Sequence, residues 1–221
     1  MMRRTLLAAG ATAPLWAIAE PSALVRAAEA GDLATLRRLL DAGAPVDSRD
    51  AQGRTALLAA TQADRIDAAR LLIERGADVN AKDAIEDSAF LLAGAQGRLA
   101  ILRMTLAAGA DLKSTNRYGG TALIPAAHHG HVETVRELLK TAIDIDHVNR
   151  LGWTALLEAI ILGDGGRAHT EIVHLLVTHG ASVELADAQG VTPLAHAEQR
   201  GQRAIVEILR RAGACAPQTG S

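Results

Sequence analysis

Residues 116–146 read NRYGGTALIPAAHHGHVETVRELLKTAIDID. A polar, glycine-containing turn from Asn116 to Gly120 opens the stretch. Thr121 follows where a helix begins, so its hydroxyl can accept from the free backbone N–H groups of the first turn. Leu123 and Ala126 are three residues apart and share one helical face, and after Gly130 the trio Val132, Val135 and Leu138 repeats the pattern on a second helix. Two such short helices cannot bury their apolar faces alone, so the unit has to stack on others of its kind.

The rest of the chain supplies those others. Gly-Ala pairs close a helical pattern at Gly43, Gly76 and Gly109, 33 residues apart, and again at Gly180 and Gly213, also 33 apart. Between Gly109 and Gly180 lie 71 residues, two periods plus five, so one unit lacks its glycine, at Ala142, and one carries a five-residue insertion. The opening segments repeat in the same register from Asp50, Asp83, Asn116, Asn149 and Asp187. Thr55, Ser88, Thr154 and Thr192 stand with Thr121 as helix-opening hydroxyls, and Pro193 occupies the first helical position, where its missing N–H costs nothing. Gly76, Gly109 and Gly180 end the second helix of their units by entering the left-handed region that a β-carbon disfavours. Ala142 would pay about 1 kcal/mol there, so its turn is expected to take another form.

These motifs resemble the ankyrin repeat family, whose unit is similar to D-x-x-G-x-T-P-L-H-x-A followed by G-H-x-E-I-V-x-L-L-L and G-A-D-V-N. Thr121-Ala122-Leu123, Ala126-Ala127, Gly130-His131-Val132-Glu133-Thr134-Val135 and Leu138-Leu139 match best, and the resemblance runs from Ser22 to Gly213. It implies an all-α solenoid of about six helix-turn-helix units with short projecting hairpin loops. The expected layout is a capping unit over 22–49, internal units over 50–82, 83–115, 116–148 and 149–186, a C-terminal cap over 187–213, together a domain over 20–215, and a polar tail over 214–221. The family's histidine is replaced by Leu58, Leu91, Ile124, Leu157 and Ala195, so apolar contact is expected in place of its hydrogen bond.

Composition agrees with thin stacked helices. The 221 residues are 49% hydrophobic, yet only Trp16, Phe90, Tyr118 and Trp153 are aromatic. The net charge of −2 becomes −4 once Arg3 and Arg4 are set aside, which argues against a nucleic-acid partner. The lone cysteine, Cys215, permits no internal disulfide.

Residues 1–19 read MMRRTLLAAGATAPLWAIA, a basic start, a short apolar run and an A-x-A site, which is the layout of a signal peptide. The run from Thr5 to Ala19 is too short, and too interrupted by Gly10 and Pro14, for a stable membrane span. Arg3-Arg4 followed by Thr5-Leu6-Leu7 resembles a twin-arginine signal, and an ordinary secretory signal stands beside it. A periplasmic location is expected, with an inner-membrane anchor by an uncleaved signal as the alternative.

No motif carries catalysis. His128, His129 and His131 could suggest zinc, but the family pattern accounts for His131, and adjacent helical residues point apart. His169 and His174 are five residues apart, about 140° around a helix, so they cannot chelate one ion. The insertion Gly163-Asp164-Gly165-Gly166-Arg167-Ala168 lacks the ligands of a calcium loop and the lysine of a phosphate loop, and reads as a tolerated surface turn. No cofactor and no metal are expected.

What remains is surface: in such arrays the hairpin tips and first helices form the binding face. Ile85, Tyr118, Leu151 and Trp153 are expected to form an apolar stripe at the tips, with Arg54, Arg117 and Arg150, spaced 63 and 33 apart, along the same side. Glu158, His128 and His129 complete the candidate contacts. Tyr, Trp and Arg are the types enriched at interfaces. The expected function is noncovalent binding of a protein by a monomer acting as scaffold, inhibitor or accessory. A membrane-anchored envelope or stress-related structural protein is the alternative, and a metal-dependent enzyme a more remote one.

Overall fold

The computed structural model describes residues 22–214, so the signal-peptide reading of residues 1–19 and the tail from 215 lie outside the described residues. Twelve helices occupy the described residues, in six antiparallel pairs. They are α1 (Ser22–Ala30) with α2 (Leu33–Asp41), α3 (Ala56–Gln62) with α4 (Ile66–Glu74), and α5 (Ala89–Ala95) with α6 (Leu99–Ala107). Then come α7 (Leu123–His128) with α8 (Val132–Leu138), α9 (Ala155–Ile161) with α10 (Arg167–Thr178), and α11 (Pro193–Gln199) with α12 (Arg203–Arg211). The odd-numbered helices pack on one another to form an inner layer, and the even-numbered ones form an outer layer.

One apolar cluster runs through the whole stack, including Leu36, Leu57, Leu72, Phe90, Ile101, Leu123, Leu138, Leu156, Leu176 and Leu209. Alanine sets the spacing of the inner layer: Ala60, Ala93, Ala126 and Ala159 are fully buried. At Gly94 even a methyl group is too much, since a β-carbon there would lie 2.8 Å from Cβ of Ala122 on the next unit. Four of the five positions that lack the family's histidine are enclosed, with Leu58, Leu91, Ile124 and Leu157 all buried, while Ala195 in the last unit is half-buried.

Thr55, Ser88, Thr154 and Thr192 cap α3, α5, α9 and α11 by accepting from the N–H three residues on, at 3.2 to 3.3 Å. Thr121 departs from this expectation. The N–H of Ile124 that its hydroxyl would serve donates instead to the Thr121 carbonyl at 3.3 Å, α7 starts at Leu123, and the buried hydroxyl has no protein partner. The turn at Ala142 takes its own form, as expected. Helix α8 stops at Leu138, the Thr141 hydroxyl donates to the Leu138 carbonyl at 2.6 Å, and the Ile143 N–H donates to Thr141 Oγ1 at 3.3 Å. Ala142 thereby stays out of the left-handed region occupied by Gly76 and Gly109.

The insertion is built rather than merely tolerated. A β-carbon at Gly163 would lie 2.1 Å from the Ala159 carbonyl oxygen, so only glycine fits. Asp164 Oδ1 accepts from the Gly166 N–H at 2.8 Å and lies 2.8 Å from His169 Nδ1. These contacts hold the Asp164 carboxyl below its usual range. His169 Nε2 in turn lies 2.8 Å from the His128 carbonyl oxygen, tying the inserted loop to the inner helix of the preceding unit.

Candidate functional site

Each hairpin is folded by the side chain that opens it. Oδ1 of Asp50, Asp83, Asn116, Asn149 and Asp187 accepts from the backbone N–H two residues on and again from the one four residues on, at 2.9 to 3.1 Å. This double acceptance turns the residue two places on outward. That residue is Gln52, Ile85, Tyr118, Leu151 and Gln189 in successive units. The tips are therefore polar at both ends of the row and apolar over three central units, where Ile85 is 52%, Tyr118 53% and Leu151 52% exposed. Backbone bonds fasten neighbouring hairpins, from the Ala84 N–H to the Gln52 carbonyl at 3.2 Å and from the Arg150 N–H to the Tyr118 carbonyl at 2.9 Å.

Between these tips and the inner helices runs a groove of about 580 Å³. Ile85, Tyr118 and Leu151 form one wall, and Leu92, Pro125, His128, His129, Glu158 and Leu162 line the rest. Leu162 is exposed at the end of α9 and was not legible as a contact; its signal is its place one helical turn beyond Glu158. Of the stripe read from the sequence, Trp153 is set apart. It sits four places after its opening residue rather than two, is half-buried, and has its indole Nε1 enclosed without a hydrogen-bond partner.

The three arginines serve the scaffold as much as the surface. Arg54 pairs with Asp50 at 2.8 Å and Glu29 at 3.6 Å. Arg150 donates through its guanidinium to the Arg117 carbonyl at 2.6 Å, stitching two hairpins together. Arg117 does line the groove, with its guanidinium carbon 4.8 Å from the centre of the Tyr118 ring and its Nη1 3.5 Å from Asp87 Oδ2. Burial raises the Asp87 carboxyl above its ordinary value, with Arg117 opposing that rise.

His128 and His129 do not point apart. His129 lies just past α7 with non-helical backbone, which lets the two rings stack with centroids 4.2 Å apart and planes inclined 17°. Burial first, and then His129 and His169, lower the pKa of His128. Beneath them Glu158 is 7% exposed. Its Oε1 accepts from Asn149 Nδ2 at 2.8 Å, and its Oε2 lies 3.7 Å from His128 Nδ1. Burial pushes the Glu158 carboxyl up to about 7 against the opposing Asn149 bond. Among the described residues no group of three or more His, Cys, Asp and Glu side chains is placed to hold a metal ion. None of the described helices is long and apolar enough to cross a membrane.

The family model for ankyrin repeats in three copies matches residues 5–83 and 90–187. The chain belongs to the ankyrin repeat family. Its structure is similar to that of an ankyrin repeat domain from Acinetobacter baumannii AYE, at 57% identity and a TM-score of 0.86, covering 89% of this chain and 100% of that one. It is also similar to the ankyrin repeat protein EF0377, at 42% identity and a TM-score of 0.83 over 87% of this chain and 98% of that one. The ankyrin repeat domain of Bcl-3, a member of the IkappaB protein family, shares 31% identity with a TM-score of 0.78 over 87% of this chain and 86% of its own. The ankyrin repeat protein YahD of Escherichia coli (strain K12) is 51% identical over 57 residues, which span 26% of this chain and only 28% of YahD. Ankyrin repeats form a non-enzymatic fold that mediates protein–protein interaction.

Proposed function

We propose that this chain is an exported protein-binding module, a scaffold, inhibitor or accessory protein, that holds its partner noncovalently along the hairpin tips and the groove beneath them. The observation that carries this reading is the alignment of Ile85, Tyr118 and Leu151 at one register position of three successive hairpins, each about half exposed. Aligned apolar side chains that the fold does not need for its own packing, rimmed by polar tips, mark an interaction surface. Export to the periplasm rests on the basic start, apolar run and Ala17-Ile18-Ala19 site of the N-terminal segment. Mass spectrometry of the mature chain from an envelope fraction should then show a start after Ala19; an intact Met1 or Met2 start would remove the cleavage claim. The binding reading is tested by using the full chain as bait in periplasmic extract. The expected result is a partner retained by the wild type and by Lys140→Ala on the outer layer, and lost by Tyr118→Ala; retention by all three would count against the groove.

A further inference from the structure

Two acids line the groove, and only one has a cation. Asp87 is answered by Arg117 at 3.5 Å. Glu158 has Asn149 on Oε1, while its Oε2 faces an imidazole at 3.7 Å, beyond hydrogen-bond length. Among the described residues no lysine or arginine comes within ion-pair distance of it, and His128 is biased toward its neutral form by its own burial. The neighbouring groups are committed elsewhere: His169 to Asp164 and the His128 carbonyl, Arg117 to Asp87 and the Tyr118 ring. On the other side of α9, at the same register position of the next unit, His196 Nε2 is 2.7 Å from Asp187 Oδ2. There the inner-helix side chain and the hairpin-opening side chain satisfy each other's charge, whereas Asn149 leaves the charge of Glu158 unanswered. The groove thus combines an apolar wall with an uncompensated acid at its floor, and its one lining arginine already has a carboxylate partner.

We propose that the occupant of the groove is an extended segment of a partner protein that lays aliphatic or aromatic side chains on Ile85, Tyr118 and Leu151 and sets a lysine or arginine cation against Glu158. The assignment rests on the groove being the binding face and adds the chemistry of what enters it. The apolar wall supplies burial and the acid supplies selection, because a charge left unpaired in a desolvated site is costly and its complement is therefore favoured. An acidic segment would meet Glu158 and Asp87 as like charges and is selected against.

The probe is a displayed library of random twelve-residue peptides selected on the full-length wild-type chain at slightly alkaline pH, where Glu158 is ionised. The expected winners carry a lysine or arginine flanked by aliphatic or aromatic residues. A synthetic winner should bind about tenfold or more weaker when its lysine is changed to norleucine, a loss measured on the wild-type protein and so independent of any variant's folding. Glu158→Gln keeps an acceptor for Asn149 and should give a similar loss, and the two losses should not add. Winners that depend on Tyr118 but are indifferent to Glu158→Gln and to norleucine overturn the cation assignment and leave the groove as the binding face. Winners indifferent to Tyr118→Ala overturn both. Acidic winners, no winners at all, or a dimer of this chain that Tyr118→Ala dissolves would each overturn the proposal.

Discussion

The outer layer and the grooved face of this solenoid treat their surface groups in opposite ways. Along the outer helices, charges from successive units answer one another: Arg75 with Asp41 at 2.8 Å, Arg103 with Glu137 at 2.9 Å, and Arg136 with Glu171 at 2.7 Å. Along the groove, three apolar tips stand uncovered and a buried carboxyl has no cation. Exposed pairs of the outer kind contribute about 0 to 1 kcal/mol each, so they link neighbouring units more than they stabilise them.

The largest effect expected is one that ignores the contrast. Leu123 is fully buried in the cluster that both layers share, so Leu123→Ala should cost about 2 to 5 kcal/mol of stability in denaturant titration. A loss below about 1 kcal/mol would mean that α7 does not bridge the layers as described.

Next comes the acid. Burial raises Glu158 from the ordinary 4.5 to about 7, so the fold favours its protonated form. That stabilisation is fully present below about pH 4.5 and is lost as pH rises through about 7, a change on the order of 3 kcal/mol. Glu158→Gln should flatten this fall between about pH 5 and pH 8. An unchanged pH profile would show that the carboxyl is better solvated than its burial implies.

Trp153→Ala should act on the scaffold, costing about 1 to 3 kcal/mol of stability, since the ring is half-buried with its indole nitrogen enclosed. A melting temperature equal to that of the wild type would return Trp153 to the exposed stripe.

The residues explain why the fold was legible and the site less so. Repeats 33 residues apart, helix-opening hydroxyls and closing glycines are local signals, and a stack of units reads them out many times over. Thr121 failed as a cap because one competing backbone bond, from Ile124, depends on how the first turn of α7 closes. Ile85, Tyr118 and Leu151 could be placed because the tip position follows from the opening Asp or Asn, but Trp153 was joined to them by residue type alone. His128 and His129 stack because α7 ends between them, a boundary that one residue decides. Gly163 is demanded by the Ala159 carbonyl oxygen four residues before it and Gly165 by its positive φ, while the Gln202 side chain that Gly165 faces belongs to the next unit, a contact that no local pattern encodes.

We propose that binding energy is concentrated on the grooved face while the outer layer only holds itself together. It is tested most directly by the dissociation constant of the captured partner for Tyr118→Ala against Arg103→Ala, both measured on the full chain beside its thermal unfolding. The account predicts a loss of about 2 kcal/mol or more in affinity for Tyr118→Ala with stability within about 0.5 kcal/mol, and little change of either kind for Arg103→Ala. Affinity that falls with Arg103→Ala and survives Tyr118→Ala would place the partner on the outer helices and contradict it.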